Sequence, residues 1–210
     1  MVEEINAEVV SLENAEIGST VFFGSYPQTA VGNDKTPIEW KVLAKKEDKL
    51  LLISQKGLDH QQYNDRWVPI TWETSSLRTW LNVTFINNAF SSNEQAMIQN
   101  TSVTADKNPS YNTPPGNNTT DKVFLLSIME ANKYFGSDND RRCQATAYVK
   151  SQRVYINPSF GLRNWWLRSP GRSKVDAAYV DCGGSVRSGG NFVVYASNAI
   201  RPAIWVKVPT

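Results

Sequence analysis

The last fifty residues constrain the fold most, because short apolar runs alternate there with glycine-rich turns. Half of the twelve glycines of the chain lie between Gly161 and Gly190. Short apolar runs bounded by Gly, Ser and Asn predict short strands joined by tight turns. We predict four strands here, at Trp165–Leu167, Ala178–Cys182, Phe192–Tyr195 and Ile200–Val208.

Alternating apolar residues predict further strands near the start of the chain. A first strand is predicted between Ser19 and Gln28. Ile38, Trp40 and Val42 alternate with polar residues, which is typical of a half-buried strand. The polar residues 45–49 then predict a turn, and residues 50–53 a returning strand, so this region resembles a hairpin.

Three patterns predict helices in the middle of the chain. Apolar residues recur at helical spacing from Ser76 onward, at Leu77, Trp80, Leu81 and Phe85. Capping boxes of Ser with Glu three residues later stand at Ser91/Glu94 and Ser127/Glu130, and the second predicts a helix over 128–135. Residues 123–126 predict a short buried strand.

The domain organisation predicted from these patterns is one α+β domain over residues 1–210. Residues 1–18 form an N-terminal extension, and 106–121, with three prolines and four asparagines, form a loop insertion. No linker separates the C-terminal segment 164–208 from the rest. Seven tryptophans supply enough apolar area for a substantial core.

Charge and hydropathy exclude several classes of partner. The net charge is only +2 and no basic stripe occurs, which argues against nucleic acid as a partner. No run of 18 apolar residues occurs, so membrane insertion is not expected. The N-terminal sequence MVEEINAEVV is acidic and lacks the apolar core of a signal peptide, so we expect a cytoplasmic or phage-associated location.

The few cysteine and histidine residues argue against catalysis and metal binding. Cys143, Cys182 and His60 are too few for a four-ligand zinc site. A Ser-His-Asp triad could use only His60, and no G-x-S-x-G motif is present. Neither nucleotide-binding glycine motif occurs. We therefore expect no enzymatic activity, no cofactor and no metal, while pairing of the two cysteines stays open.

Six motifs read in order resemble one known family. They are FGSYPQ at 23–28, IEWKVL at 38–43, WETSSLRTWLN at 72–82, VFLLS at 123–127, WWLRSPG at 165–171 and IRPAIW at 200–205. This order and spacing is similar to a bacterial and phage domain family of unassigned function. The resemblance covers nearly the whole chain. The last motif departs from it, since Ala199-Ile200 stands where the family has Gly-Val.

The resemblance implies a C-type-lectin-like fold, similar to the formylglycine-generating-enzyme branch. In such a fold the two chain ends pair as strands, helices flank them, and a glycine-rich C-terminal segment presents the ligand surface. The family also resembles the variable proteins of diversity-generating retroelements. In these proteins the hypervariable positions lie between the WW motif and the final VRP-like strand, which here are residues 172–199.

The resemblance and the composition together place a binding surface on residues 172–199. Aromatic side chains there offer rigid contact area, and Ser, Asp, Asn and Arg offer adaptable hydrogen bonds, as in antibody paratopes. The predicted ligand-binding residues are Arg172, Lys174, Asp176, Tyr179, Asp181, Cys182, Ser185, Arg187, Ser188, Asn191, Phe192, Tyr195 and Ser197. The expected partner is a protein or cell-surface macromolecule, and the oligomeric state is left open.

The motif residues outside that surface have a structural interpretation. We predict that Trp165 and Trp166 are core anchors, and that Arg168 and Arg201 fix loops through charge-assisted hydrogen bonds. Three alternatives stay open: a carbohydrate-binding module that stacks sugars on Trp165 or Trp166, a virion or assembly subunit, and a cysteine-dependent enzyme of the sulfatase-modifying type. The calcium-binding EPN, QPD and WND motifs of sugar-binding lectins are absent.

Overall fold

The computed structural model describes residues 9–152 and 163–208, and it is an α+β structure. The strands are, in chain order, β1 (Thr20–Tyr26), β2 (Thr36–Lys46), β3 (Lys49–Ser54), β4 (Asp59–His60), β5 (Thr101–Val103), β6 (Thr119–Asp121), β7 (Val123–Phe124), β8 (Trp165–Pro170), β9 (Asp176–Val180), β10 (Val186–Phe192), β11 (Ala199–Ile200) and β12 (Ala203–Lys207). The helices are α1 (Ser76–Trp80), α2 (Ile86–Ala89), α3 (Ser92–Met97), α4 (Ile128–Tyr134), α5 (Asp138–Arg141) and α6 (Ala147–Ser151).

The first sheet has the order β1-β2-β3-β12-β7, with antiparallel neighbours throughout. Ile38, Trp40 and Val42 of β2 are all fully buried, as their alternation predicts. The predicted hairpin joins β2 to β3, but its turn is shorter than expected. Lys46 pairs with Lys49, so only two residues form the turn, and Glu47 adopts a φ of 53° there.

The second sheet has the order β10-β9-β8-β11-β4 and contains most of the C-terminal segment. β8 is central, and all six of its residues are buried, because both faces of this strand are covered. β11 joins β8 in parallel, through Ala199 opposite Trp165, whereas the other neighbours are antiparallel. A separate pair, β5 with β6, brackets residues 104–118, so the last three residues of the predicted 106–121 loop form a strand.

Among the described residues, the first and last strands do not pair with each other as the C-type-lectin resemblance implies. β1 and β12 lie in the same sheet, but β2 and β3 separate them. β3 pairs instead with all five residues of β12, and β7 pairs with the other edge of β12. The α+β class is therefore present without the expected contact between the end strands.

The helices follow the predicted patterns closely. The helix that begins at Ser76 runs through a π-helical turn, Leu81–Phe85, into α2, and it buries Leu77, Leu81 and Phe85. Both capping boxes form, at Ser91 with Glu94 and at Ser127 with Glu130. A 3₁₀ turn at Trp72–Thr74 precedes α1.

In residues 9–152 and 163–208 no helical stretch has the length and apolar character needed to cross a bilayer.

Two strand predictions in the C-terminal segment are wrong. The predicted strand Ile200–Val208 is divided, since Ile200 belongs to β11 in the second sheet and Ala203–Lys207 forms β12 in the first. The predicted strand Phe192–Tyr195 contributes only Phe192, because the strand that forms, β10, begins at Val186. Its sequence, VRSGGNF, has two adjacent glycines, which are poor strand formers and suggested a turn. They lie instead in a bulge, where the pairing with β9 shifts between Arg187 and Asn191.

Within the 1–18 extension only residues 9–18 are described, and Val9 bridges to Thr20.

Candidate functional site

The 172–199 segment forms one edge of the second sheet. It comprises the turn before β9, then β9, β10 and the loop 193–198, and β10 is the outermost strand. An edge strand presents side chains and unpaired backbone groups to solvent, which a ligand can reach. The predicted binding residues are therefore carried by elements on the outside of the fold.

The exposure of these residues divides them into two groups. Most lie at least partly in solvent, namely Arg172, Lys174, Tyr179, Asp181, Cys182, Ser185, Arg187, Ser188, Asn191, Phe192, Tyr195 and Ser197. Asp176 differs, because it is only 3% exposed. It accepts a hydrogen bond from Ser173 Oγ at 2.7 Å, so it supports the turn beneath the surface. A large ligand cannot reach Asp176 in this conformation.

Three aromatic rings form an exposed cluster at the end of β10. The centroids of Trp67 and Phe192 are 4.7 Å apart, and those of Phe192 and Tyr195 are 5.3 Å apart. Trp67 is 57% exposed and Tyr195 45% exposed. We call these three residues the aromatic cluster. Exposed large aromatic rings in contact with one another are typical of ligand contact surfaces rather than of ordinary surface.

Backbone hydrogen bonds hold Trp67 against the 172–199 segment. The Asn64 N–H donates to the Val193 carbonyl at 2.9 Å, and the Ile70 N–H donates to the Lys174 carbonyl at 2.9 Å. The Asn64 side chain also donates to the Arg66 carbonyl at 2.9 Å. Both ends of the loop around Trp67 are therefore fixed, which pre-orders its ring for contact.

Asp181 organises the turn between β9 and β10. Its Oδ1 accepts the N–H groups of Gly183 and Ser185, and its Oδ2 accepts Arg187 Nε at 2.6 Å. This ion pair also raises the pKa of Arg187. From the other side, Arg141 Nε of α5 donates to the Gly184 carbonyl at 2.9 Å. Asp181 therefore has a structural role, because it holds the turn between β9 and β10 in shape, in addition to its predicted role in ligand contact.

A groove lies between the 106–121 loop and the turn that precedes β9. It is a shallow, open depression of about 450 Å³ lined by Tyr111, Asn112, Thr113, Pro114, Arg172, Ser173 and Lys174. Asn108 fixes the loop, because its side chain donates to the carbonyls of Pro170 and Ser188 at 2.8 and 2.7 Å. The loop insertion therefore belongs to the same surface, and the groove is lined by two cationic side chains, Arg172 and Lys174, and by the exposed ring of Tyr111.

Trp165 and Trp166 lie in the core. Both are fully buried, and their indole N–H groups donate to the carbonyls of Arg141 and Gln61. Neither ring can stack against a sugar from solvent. The version of the carbohydrate hypothesis that uses these two tryptophans therefore does not fit the structure.

Arg168 and Arg201 are buried and bind other parts of the fold. Arg168 donates to the carbonyls of Leu125 and Thr104 and forms an ion pair with Glu130. Arg201 Nε donates to the Ser54 carbonyl at 2.8 Å, and its guanidinium lies over the ring of Trp165. Burial lowers the pKa of Arg201. Neither guanidinium is placed to meet a ligand.

The two cysteines differ in exposure, since Cys143 is buried and Cys182 is partly exposed. Cys143 is buried, which raises the pKa of its thiol and disfavours the reactive thiolate. Cys143 and Cys182 are not joined by a disulfide. In the part of the chain that the structure describes, no three His, Cys, Asp or Glu side chains are grouped to hold a metal ion.

Two contributors to this surface, Trp67 and Tyr111, were absent from the sequence prediction. Each lies far from residues 172–199 along the chain, in a polar loop without strand or helix periodicity. The available signal is the presence of a large aromatic ring in such a loop, where no core position explains it. That signal identifies a candidate but cannot show which surface it joins.

Comparison with known proteins gives one family match. The model of a family described as a domain of unknown function, DUF6273, matches residues 47–208, which is most of the chain. No curated protein matches the chain, and no solved structure does. The match includes the aromatic cluster, the groove and the whole 172–199 segment.

Proposed function

The chain belongs to the DUF6273 family, and on that premise we propose that it is a non-catalytic protein that binds a macromolecular ligand. The ligand surface consists of the aromatic cluster, the groove and the exposed side chains of the 172–199 segment. The observation that carries this proposal is the aromatic cluster itself, three contacting rings at a sheet edge with two of them largely in solvent.

Exposed aromatic side chains contribute binding energy when a complex buries them. Burying a Trp or Tyr side chain removes a large apolar area from water, and these residues dominate the binding energy of protein interfaces. Here the rings are held by each other and by the fixed loop around Trp67, so little ordering entropy is lost on binding. Polar side chains such as Asn191 and Ser197 lie beside them and supply a hydrogen-bonding rim.

The tolerance of this surface to sequence change is part of the proposal. The frame under it is made of small buried side chains, Ala177, Ala178, Val180 and Val193. Exposed positions such as Arg172, Lys174 and Tyr195 can change without disturbing that frame. Asp181 and Gly184 are different, because they form the turn. Retroelement diversification would therefore spare these two positions and act on the exposed ones.

We also infer a C-type-lectin-like relationship, from the separate second sheet that the glycine-rich segment builds. The separation of β1 from β12 in the first sheet argues against the standard form of that fold. A protein or cell-surface ligand, and a cytoplasmic or phage-associated location, remain predictions from the sequence.

A sugar ligand is the second candidate, because a single exposed indole can stack against a sugar ring. Trp67 supplies such an indole in place of the buried Trp165 and Trp166. The two ligand classes are separable, since a sugar needs the one flat ring while a protein interface uses the whole cluster and its rim.

The test is a binding screen with matched variants. Four labelled proteins are applied to an array of bacterial surface proteins and to a glycan array. They are the wild type and the variants Trp67→Ala, Tyr195→Ala and Phe22→Ala. Phe22 is the control, because it is 46% exposed but lies on β1, at the edge of the other sheet. We expect protein hits that fall about tenfold or more in affinity with Trp67→Ala and Tyr195→Ala and are kept by Phe22→Ala.

Other outcomes are equally informative. Hits confined to glycans, lost with Trp67→Ala but kept with Tyr195→Ala, would replace the protein ligand by a sugar. Binding that all three variants retain would place the ligand surface elsewhere on the molecule.

A further inference from the structure

Two segments line the groove beside β9, and they differ in chemical character. The turn that precedes β9 contributes the cationic side chains of Arg172 and Lys174, whereas the 106–121 loop contributes the ring of Tyr111 and Pro114. Among the described residues, no acidic side chain lines the groove. Its charge is therefore of one sign, beside an apolar surface.

Hydrogen bonds fix both segments, so the groove exists before a ligand arrives. Thr113 Oγ1 of the loop donates to the Gly171 carbonyl at 2.8 Å. In the turn, the Arg172 N–H donates to the Gly189 carbonyl of β10 at 3.0 Å. Because the backbone of the groove is already in place, binding orders few additional groups and loses little entropy.

The two cations of the groove differ in how their charge is balanced. Arg172 is largely exposed, and its Nε lies 3.4 Å from Oδ2 of the buried Asp176, which offsets the charge and orients the guanidinium. The terminal amino groups of Arg172 remain available to donate to a ligand. Lys174 is exposed, and in the described residues no carboxylate forms an ion pair with its ammonium group. Lys174 therefore supplies the unbalanced charge.

The groove adjoins the aromatic cluster at Lys174. The Ile70 N–H donates to the Lys174 carbonyl at 2.9 Å, and Ile70 lies three residues after Trp67. Three residues reach at most about 11 Å, and a backbone hydrogen bond adds about 5 Å, so roughly 16 Å separates the two Cα atoms at most. An extended segment of about five residues spans that distance.

We infer that the partner presents an acidic segment of a protein to this surface. Its Asp or Glu side chains lie in the groove, and an apolar side chain about five residues away packs on the aromatic cluster. This inference rests on the function proposed above and names the chemistry of its ligand. A carboxylate supplies the counter-ion that Lys174 lacks, and it matches the paired donors of Arg172.

Single-stranded nucleic acid is the competing anionic partner, because it also combines negative charge with flat rings. Such a ligand needs cations that follow successive phosphates and aromatic faces that are free for stacking. Only Arg172 and Lys174 are cations among the described residues that line the groove. The rings of Trp67 and Phe192 already pack against each other, with centroids 4.7 Å apart. These features favour a protein segment.

An array of random peptides tests the inference on the full chain. Peptides of about twelve residues are long enough to reach both the groove and the cluster. They are probed with the labelled wild type and with Trp67→Ala, Lys174→Glu, Lys174→Gln and Lys46→Glu. Lys46 is the matched control, because it is exposed but lies on β2 in the first sheet. Arg172 is left unchanged, since its loss would leave the buried Asp176 without its ion pair.

We expect the wild type to select peptides rich in Asp and Glu that carry an aromatic or aliphatic residue about five positions away. Lys174→Glu should weaken the binding of these peptides about tenfold or more, because the new carboxylate repels them. Lys174→Gln, which only removes the charge, should have a smaller effect, and Lys46→Glu should bind like the wild type. Added salt should weaken the binding of the wild type. Far-UV circular dichroism checks that each variant is folded.

Failure of this inference and failure of the proposed function give different results. Selected peptides that Trp67→Ala no longer binds, but that have no excess of Asp and Glu, overturn the acidic partner and leave the ligand surface in place. Peptides that Trp67→Ala and Lys174→Glu both retain overturn the two proposals together, as does an array on which the wild type selects no peptide.

Two further measurements separate the other possible occupants of the groove. A fluorescent oligothymidylate that binds the wild type but not Lys174→Glu, when no acidic peptide is selected, would replace the protein segment by nucleic acid. Self-association of the wild type in light scattering that Lys174→Glu abolishes would make a second copy of this chain the occupant. Either result overturns the inference of an acidic partner segment.

Discussion

Gly184 and Gly18 have nearly the same backbone angle but very different surroundings. Their φ values are +92° and +93°, in the region that side chains other than glycine rarely adopt. A Cβ on Gly184 would lie 1.7 Å from the Asp138 carbonyl oxygen, whereas one on Gly18 would meet nothing within 4 Å. The turn between β9 and β10 is therefore packed closely against α5 at Gly184.

This contrast predicts different costs for the same substitution. Gly18→Ala should lower the free energy of unfolding by about 1–2 kcal/mol, from backbone strain alone. Gly184→Ala should lower it by about 1–3 kcal/mol more, because the turn must also move away from Asp138. Urea unfolding of both variants measures the difference. Equal losses would mean that the turn does not rest on α5.

Single residues also show where sequence reasoning reaches its limit. The burial of Ile38, Trp40 and Val42 follows from their spacing, because strand periodicity is local. The contact of Trp67 with Phe192 joins residues 125 positions apart, and no local pattern encodes it. Phe192 and Tyr195 were predicted from the sequence, but their contact with Trp67 is a product of tertiary structure, so the aromatic cluster as a whole was not predictable.

At the scale of elements, capped helices were predictable and the edge strand was not. Ser91 with Glu94 and Ser127 with Glu130 each form a reciprocal pair of hydrogen bonds within one turn. β10 forms although Ser188, Gly189 and Gly190 have low strand propensity, because pairing with β9 stabilises it. A strand that depends on its neighbour cannot be located from its own sequence.

The two capping boxes predict a second matched comparison. Ser127 also donates to Asp106 at 2.7 Å, and its partner Glu130 pairs with the buried Arg168, whereas the Ser91 box is exposed. Ser91→Ala should destabilise the protein by about 1 kcal/mol, as for an ordinary N-cap. Ser127→Ala should cost about 1–2 kcal/mol more, because Asp106 loses a donor in a partly buried network.

Chemical denaturation of both serine variants tests this comparison. We expect the midpoint of unfolding to fall while the slope of the unfolding free energy against denaturant concentration stays the same. The slope stays the same because neither substitution alters the surface exposed on unfolding. Equal losses for the two serines would show that the network around Arg168 adds nothing to the local cap.

Across the whole molecule, two pairs of strands connect the sheets. β3 and β12 pair in the first sheet. β4, which follows β3 along the chain, pairs in the second sheet with β11, which precedes β12. Arg201 lies at this crossing, where its guanidinium donates to Ser54 and covers Trp165. The N-terminal and C-terminal halves are thus joined by main-chain pairing, which the absence of a linker in the sequence suggested but could not specify.

This connection predicts that the two sheets unfold together. Hydrogen exchange measured by mass spectrometry should give the same opening free energy for the best-protected amides of β3 and of β8, because neither sheet keeps its pairing when the other is lost. Arg201→Gln should lower both values by the same amount, since the side chain touches both sheets. Lower protection of β8 alone would divide the predicted single domain into two units, with the aromatic cluster on the less stable one.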